Sequence, residues 1–203
     1  MKRLGILLSG RGSNFVAIHE AIQDGRIPEA EIGVVLSNRA DAAGLNAAHA
    51  LGFKATAIVQ QGKGADARAL HDAHMIAALR ESGVDLVCLA GYMRIISPAF
   101  VAAFGDRILN VHPSLLPSFP GLNAQGQALA FGVKVAGCTV HFVDEQVDHG
   151  VIVLQRAVAV EDTDTEQTLI ERILAEEHLA YPEAITRVLS GKYRVEGRRF
   201  LGC

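Results

Sequence analysis

Cysteine is scarce and poorly placed for cross-linking: Cys88, Cys138 and Cys203 are odd in number, far apart and in no C-x-x-C pair. Neither a disulfide framework nor a thiolate zinc site is suggested, and a reducing cytoplasm is the expected compartment. Long apolar runs are missing too. None approaches the roughly 20 residues that span a bilayer, and the run from Leu4 to Leu8 meets Ser9-Gly10-Arg11 too soon for a signal-peptide core. Charge of one sign does not dominate. Nineteen Lys and Arg stand against 22 Asp and Glu, dispersed along the chain, so non-specific nucleic-acid binding is not expected. No repeat, low-complexity tract or polar linker divides the sequence, which reads as one domain over residues 1–203.

Half of the 203 residues are hydrophobic, enough for a proper core. Runs rich in Val, Ile and Leu alternate with longer segments of helical period, the pattern of βαβ units around a mostly parallel sheet. Strands are expected at 2–8, 32–37, 53–58, 84–89, 107–111, 137–143 and 151–160, and helices at 13–24, 41–51, 65–82, 98–104, 123–131 and 166–189. Too little chain separates the last two strands for a helix, so they should pair antiparallel. The expected fold is α/β: an open, Rossmann-like twisted sheet, mostly parallel with an antiparallel C-terminal part, and helices on both faces.

Ser9-Gly10-Arg11-Gly12-Ser13-Asn14 falls where the first strand turns into the first helix. Main-chain N–H groups and a helix N-terminus there suit a phosphate, while Ser13 and Asn14 can either donate to its oxygens or simply cap the helix. A dinucleotide fingerprint is poorly matched. Phe15 stands where G-x-G-x-x-G needs its third glycine, and Ser37-Asn38-Arg39 ends the second strand without an acidic residue for a ribose diol.

The densest chemistry is Asn110-Val111-His112-Pro113-Ser114-Leu115-Leu116-Pro117, at the carboxyl end of the fifth strand. Asn110 and His112, two apart on a strand, project to the same face and can converge on one carbonyl group, an amide donor beside an imidazole able to move a proton. The loop 144–150 is acidic. Asp148 can reach His112 or can be a turn residue before Gly150, and spacing does not decide between them. His71 and His74 share a helix face without an evident third ligand, and His19-Glu20 is followed by Gln23 where H-E-x-x-H needs His. A solvated helix face is therefore expected rather than a metal centre. Cys88 and Cys138 lie in apolar runs where buried thiols are common, and no G-x-S-x-G elbow is present.

Segments 9–14, 89–100, 108–121, 137–155 and 176–185 together resemble, in order and over nearly the whole chain, the phosphoribosylglycinamide formyltransferases among the folate-dependent formyltransferases. The resemblance implies one formyltransferase domain, with a phosphate-binding half at 1–100 and a catalytic, folate-binding half at 101–203. It implies a catalytic trio of Asn110, His112 and Asp148. Gly12, Ser13 and Asn14 would hold the phosphate of glycinamide ribonucleotide, with Leu174 and Glu177 on its ribose and glycinamide side. Arg68, Met93, Arg94, Ile95, Ile96, Asn110 and the loop residues Asp144, Glu145, Gln146, Val147 and Asp148 would bind the folate.

The implied cosubstrate is 10-formyltetrahydrofolate, with no metal. The implied partners are small-molecule substrates, without nucleic acid or membrane, and the assembly a monomer or homodimer. Two related activities compete: methionyl-tRNA formyltransferase carries an additional C-terminal RNA-binding domain, whereas little chain follows Gly191 here, and formyltetrahydrofolate hydrolase carries an N-terminal regulatory domain. A nucleotide-binding module without formyl chemistry is the reading of a different class; binding of NADP rather than folate would mark it. Asn123-Ala124-Gln125-Gly126 departs from relatives that have histidines and a basic residue there.

Overall fold

A computed structural model describes residues 1–203. It divides into two compact units, Met1–Leu109 and Asn110–Cys203. The first unit runs β1 (Lys2–Leu8), α1 (Ser13–Gln23), β2 (Ala30–Ser37), α2 (Ala43–Ala50), β3 (Ala55–Ala57), α3 (Ala65–Glu81), β4 (Leu86–Leu89) and α4 (Pro98–Phe104). β5 (Ile108–His112) crosses the boundary, and the second unit continues with α5 (Ala124–Phe131), β6 (Val135–Phe142), β7 (Ile152–Ala159), α6 (Glu166–Leu189), β8 (Tyr193–Glu196) and β9 (Arg199–Gly202).

In the first unit the strands lie in the order β3-β2-β1-β4, all parallel, with Ile6 opposite both Val35 and Cys88. The reason is compositional. Leu4, Ile6, Leu7 and Leu8 are fully buried, as are Val35 and Val87, which is how a parallel strand covered on both faces reads. The helices follow from punctuation: α4 begins with Ser97 accepting from Phe100 N and Pro98 at the first helical position.

In the second unit the order is β5-β6-β7-β9-β8. β6 and β7 are antiparallel as expected, and their register slips between Val140 and His141. Such slips re-aim side chains at sites. α6 opens with a capping box in which the Thr165 hydroxyl accepts from Thr168 N and the Thr168 hydroxyl accepts from Thr165 N. Its stripe Leu169, Ile173, Glu177, Ala180, Ala184, Ile185 and Val188 is buried at helical spacing, and α6 packs on β6 and β7. Every expected strand and helix is present, with ends shifted by small steps. The hairpin of β8 and β9 was not expected: Tyr193 pairs with Gly202 and Glu196 with Arg199 around Gly197, and the Tyr193 and Phe200 rings stack at 4.6 Å.

Candidate active site

The second unit holds a polar chain of four side chains. β5 carries Asn110 and His112, β6 carries His141, and the loop between β6 and β7 carries Asp148. Asn110 Nδ2 lies 3.3 Å from His141 Nε2, and His141 Nε2 lies 3.7 Å from Asp148 Oδ1. Asp148 Oδ2 lies 3.3 Å from His112 Nδ1. The expected trio therefore meets, joined by a residue that sequence reasoning missed. His141 sits in an otherwise apolar strand run, and an isolated imidazole on a buried face was its only signal.

A backbone carbonyl fixes one proton on each imidazole. The Phe142 carbonyl, 2.7 Å from His141 Nδ1, can only accept, so Nδ1 donates, and Nε2 faces both the Asn110 amide and the Asp148 carboxylate. His112 differs. Its Nε2 donates to the Phe119 carbonyl at 2.9 Å while Nδ1 faces the Asp148 carboxylate. Both neighbours are acceptors, so the doubly protonated ring satisfies the pair at once.

Asp148 is built for this place. Its backbone lies in the left-handed region, φ 51°, and its Oδ2 accepts from Gly121 N at 2.8 Å. Burial pushes its carboxyl upward, but the His141 ring, the Gly121 N–H and the charges of His112 and His141 outweigh it and hold it below the ordinary carboxylate value. The turn reading thus holds for the backbone while the side chain faces His112 and His141. Gly150 closes the loop, since a Cβ there would lie 1.8 Å from the Phe142 carbonyl.

The segment after His112 is pinned on several sides. Ser114 donates from its hydroxyl to Ser118 O at 2.6 Å, Thr139 donates to Ser114 O at 2.7 Å, and Gln155 donates to Leu116 O at 2.9 Å. Asn123, in the departure from relatives, is the N-cap of α5 and accepts from Gly126 N at 3.3 Å. That segment is a cap.

Other expected residues of this unit lie on the loop and on α6. Asp144 accepts from Gln146 N at 2.9 Å and pairs with His149 at 2.7 Å; Arg198, in the turn of the unexpected hairpin, bonds the His149 ring and carbonyl. Burial raises the Asp144 carboxyl, but His149, the Gln146 N–H and Arg198 lower it by more. Glu145, Gln146 and Val147 are exposed. Leu174 is half-buried, and Glu177, one turn on, is buried in the apolar stripe of α6. Cys138 is buried, and desolvation followed by the charge of Glu177 pushes its thiol up to about 12, so it is no nucleophile.

The first unit carries the remaining residues. Gly12 is the N-cap of α1 at φ 78°, and a Cβ there would lie 2.8 Å from Gly44 Cα. No side chain caps α1; Ser13 and Asn14 are its first two residues. The capping alternative fails because Gly12, in the left-handed region, takes the N-cap position and leaves Ser13 and Asn14 inside the helix. Met93 and Ile95 are 69% and 64% exposed while Ile96 is buried. The Arg94 guanidinium donates to Gln60 Oε1 at 2.5 Å. Arg68 lines a cavity of about 570 Å³ with Gln60, Lys63 and Ser97. The expected solvated histidine face is half wrong: His74 is exposed, but His71 is 2% exposed, with Nδ1 3.2 Å from Asp72 and Nε2 2.9 Å from Ile58 O. No helix is long and apolar enough to cross a membrane.

Residues 2–185 match the family model described as formyl transferase. The chain belongs to the formyl transferase family. It is 39% identical to a phosphoribosylglycinamide formyltransferase of Bacillus subtilis (strain 168), over 97% of this chain and 99% of that one. It is 44% identical to the trifunctional purine biosynthetic protein adenosine-3 of Drosophila pseudoobscura pseudoobscura, over 95% of this chain but only 14% of that protein's length. Among solved structures, glycinamide ribonucleotide transformylase 1 from Symbiobacterium toebii superposes with a TM-score of 0.95 at 51% identity, covering 100% of this chain and 94% of that one.

Proposed function

We propose that this chain transfers the formyl group of 10-formyltetrahydrofolate to the amine of N1-(5-phospho-D-ribosyl)glycinamide, releasing tetrahydrofolate, as a cytoplasmic step of purine synthesis. One observation carries the reading: Asn110, His112 and Asp148 meet in a single, partly buried network within a chain of this family.

Each residue has a task that its surroundings suit. Asn110, steadied by the His141 ring beside it, donates an amide hydrogen to the formyl oxygen, where negative charge develops as the amine adds. His112, as a cation, stabilises that charge, and its Nε2 proton must leave the Phe119 carbonyl to reach the same oxygen. Asp148 holds the imidazolium and, through water, moves a proton from the attacking amine toward the departing folate nitrogen.

Recognition is shared among the other residues. Gly12, Ser13 and Asn14 present the uncapped N-terminus of α1 to the phosphate. Glu177 and Leu174 serve the ribose and glycinamide. The exposed apolar side chains of Met93 and Ile95, with the main chain of Arg94 and Ile96, suit a pteridine, which needs apolar contact and edge hydrogen bonds together. Asp144, Glu145, Gln146 and Val147 complete the folate contacts, and Arg68 takes an acidic group of the folate.

The test is direct. Incubated with 10-formyltetrahydrofolate, the protein should release tetrahydrofolate only when glycinamide ribonucleotide is added. Release at the same rate without the amine would identify a hydrolase and overturn the assignment.

A further inference from the structure

Ser9 is buried and its hydroxyl is used twice. It donates to Asn38 Oδ1 at 2.5 Å and accepts from Met93 N at 2.8 Å. The Ser9 N–H donates to Gly91 O at 3.0 Å. Ser9 is the first residue of the 9–14 turn, so the turn assigned to the phosphate is tied by main chain to Gly91 and by side chain to Met93, where the strip assigned to the folate begins.

The far end of that strip is fixed as well. Ser97 N donates to Asp72 Oδ2 at 3.1 Å, and Ser97 caps α4 through Phe100 N at 3.2 Å. Asp72 is itself held by His71, which reaches Ile58 O at 2.9 Å. Residues 94–96 lie between the two anchors, where a displacement entering at Met93 would be taken up.

The geometry points to Ser9 as a positioning residue that couples the two substrates: filling the phosphate turn sets the Ser9 hydroxyl, and the hydroxyl sets the register of the folate strip. This rests on the functional reading above and adds a property that reading does not require. Coupling needs a connection that differs between the filled and empty states. A hydroxyl with one proton and two committed partners is such a connection, because rotating it toward or away from Asn38 strengthens or loosens its hold on Met93. A single hydrogen bond of this kind corresponds to a coupling of about 2- to 10-fold in affinity.

Calorimetry on the full chain tests it, using tetrahydrofolate and glycinamide ribonucleotide, a pair with no formyl group to transfer. In the wild type the tetrahydrofolate Kd should fall by about 2- to 10-fold when the ribonucleotide is saturating. In Ser9→Ala the ratio should return to about one, whatever happens to each affinity alone. Asn38→Ala, which leaves Ser9 in place but removes its acceptor, should lower the ratio in the same way and serves if Ser9→Ala does not fold. A wild-type ratio of one, or an unchanged ratio in the folded variants, overturns the coupling. Failure of both ligands to bind the wild type overturns the functional reading instead.

Discussion

The Asp148 carboxylate stands 3.3 Å from His112 Nδ1 on the side of the ring opposite the Phe119 carbonyl. The imidazole is thus held between two acceptors, one of them charged. Protonation at Asp148 would release it from one side.

The pH dependence follows from that carboxyl. Its value in the fold is depressed, so its stabilising contribution is complete above the unfolded value of about 3.9 and is lost as pH falls through the lower folded value. Urea midpoints measured from about pH 5 down to pH 2 should fall more steeply in the wild type than in Asp148→Asn. Parallel slopes would mean that Asp148 is not held as described.

His141 should matter for rate more than for affinity. In His141→Leu the Asn110 amide loses its ring partner and its orientation, and a polar group left unpaired in such a site costs about 1–3 kcal/mol. Expected is a loss of roughly 5- to 150-fold, equal in kcat and kcat/KM, the mark of an interaction made in the transition state. A rise in KM with kcat intact would place His141 in substrate binding.

Ser13→Asp puts a carboxylate at the first helical residue of α1, where the phosphate is assigned. The KM for the ribonucleotide should rise far more than kcat falls. Equal turnover of the unphosphorylated riboside by the wild type would remove the phosphate from this turn.

Ile95→Asp replaces an exposed apolar side chain of the folate strip. Folate affinity should weaken while ribonucleotide binding persists, both read by calorimetry. Unchanged folate affinity would refute the placement.

What could be read in advance follows from how locally each feature is encoded. The turn at 9–14 was legible because glycine and serine interrupt an apolar run, and Asn110 and His112 were legible because two polar side chains with strand spacing are rare there. Asp148 was ambiguous, since its left-handed backbone is a turn property and only tertiary contact brings its carboxylate to His112. His141 was hidden inside an apolar run. The β8/β9 hairpin was missed because Tyr193, Arg194, Val195 and Glu196 form a short, mostly polar strand that pairs only with β9, itself joined to β7 through Arg199, and the burial of His71 was missed because α3 has no clear apolar period to set its inner face.

The most direct measurement compares wild type and His112→Ala in two assays on the same preparation: formyl transfer from 10-formyltetrahydrofolate to glycinamide ribonucleotide, and calorimetric binding of each substrate. Removal of the imidazolium should lower kcat by about 10²–10⁴ with both affinities kept within a few-fold. A variant that still transfers formyl within a few-fold of the wild-type rate would contradict the assignment of His112 to the chemistry.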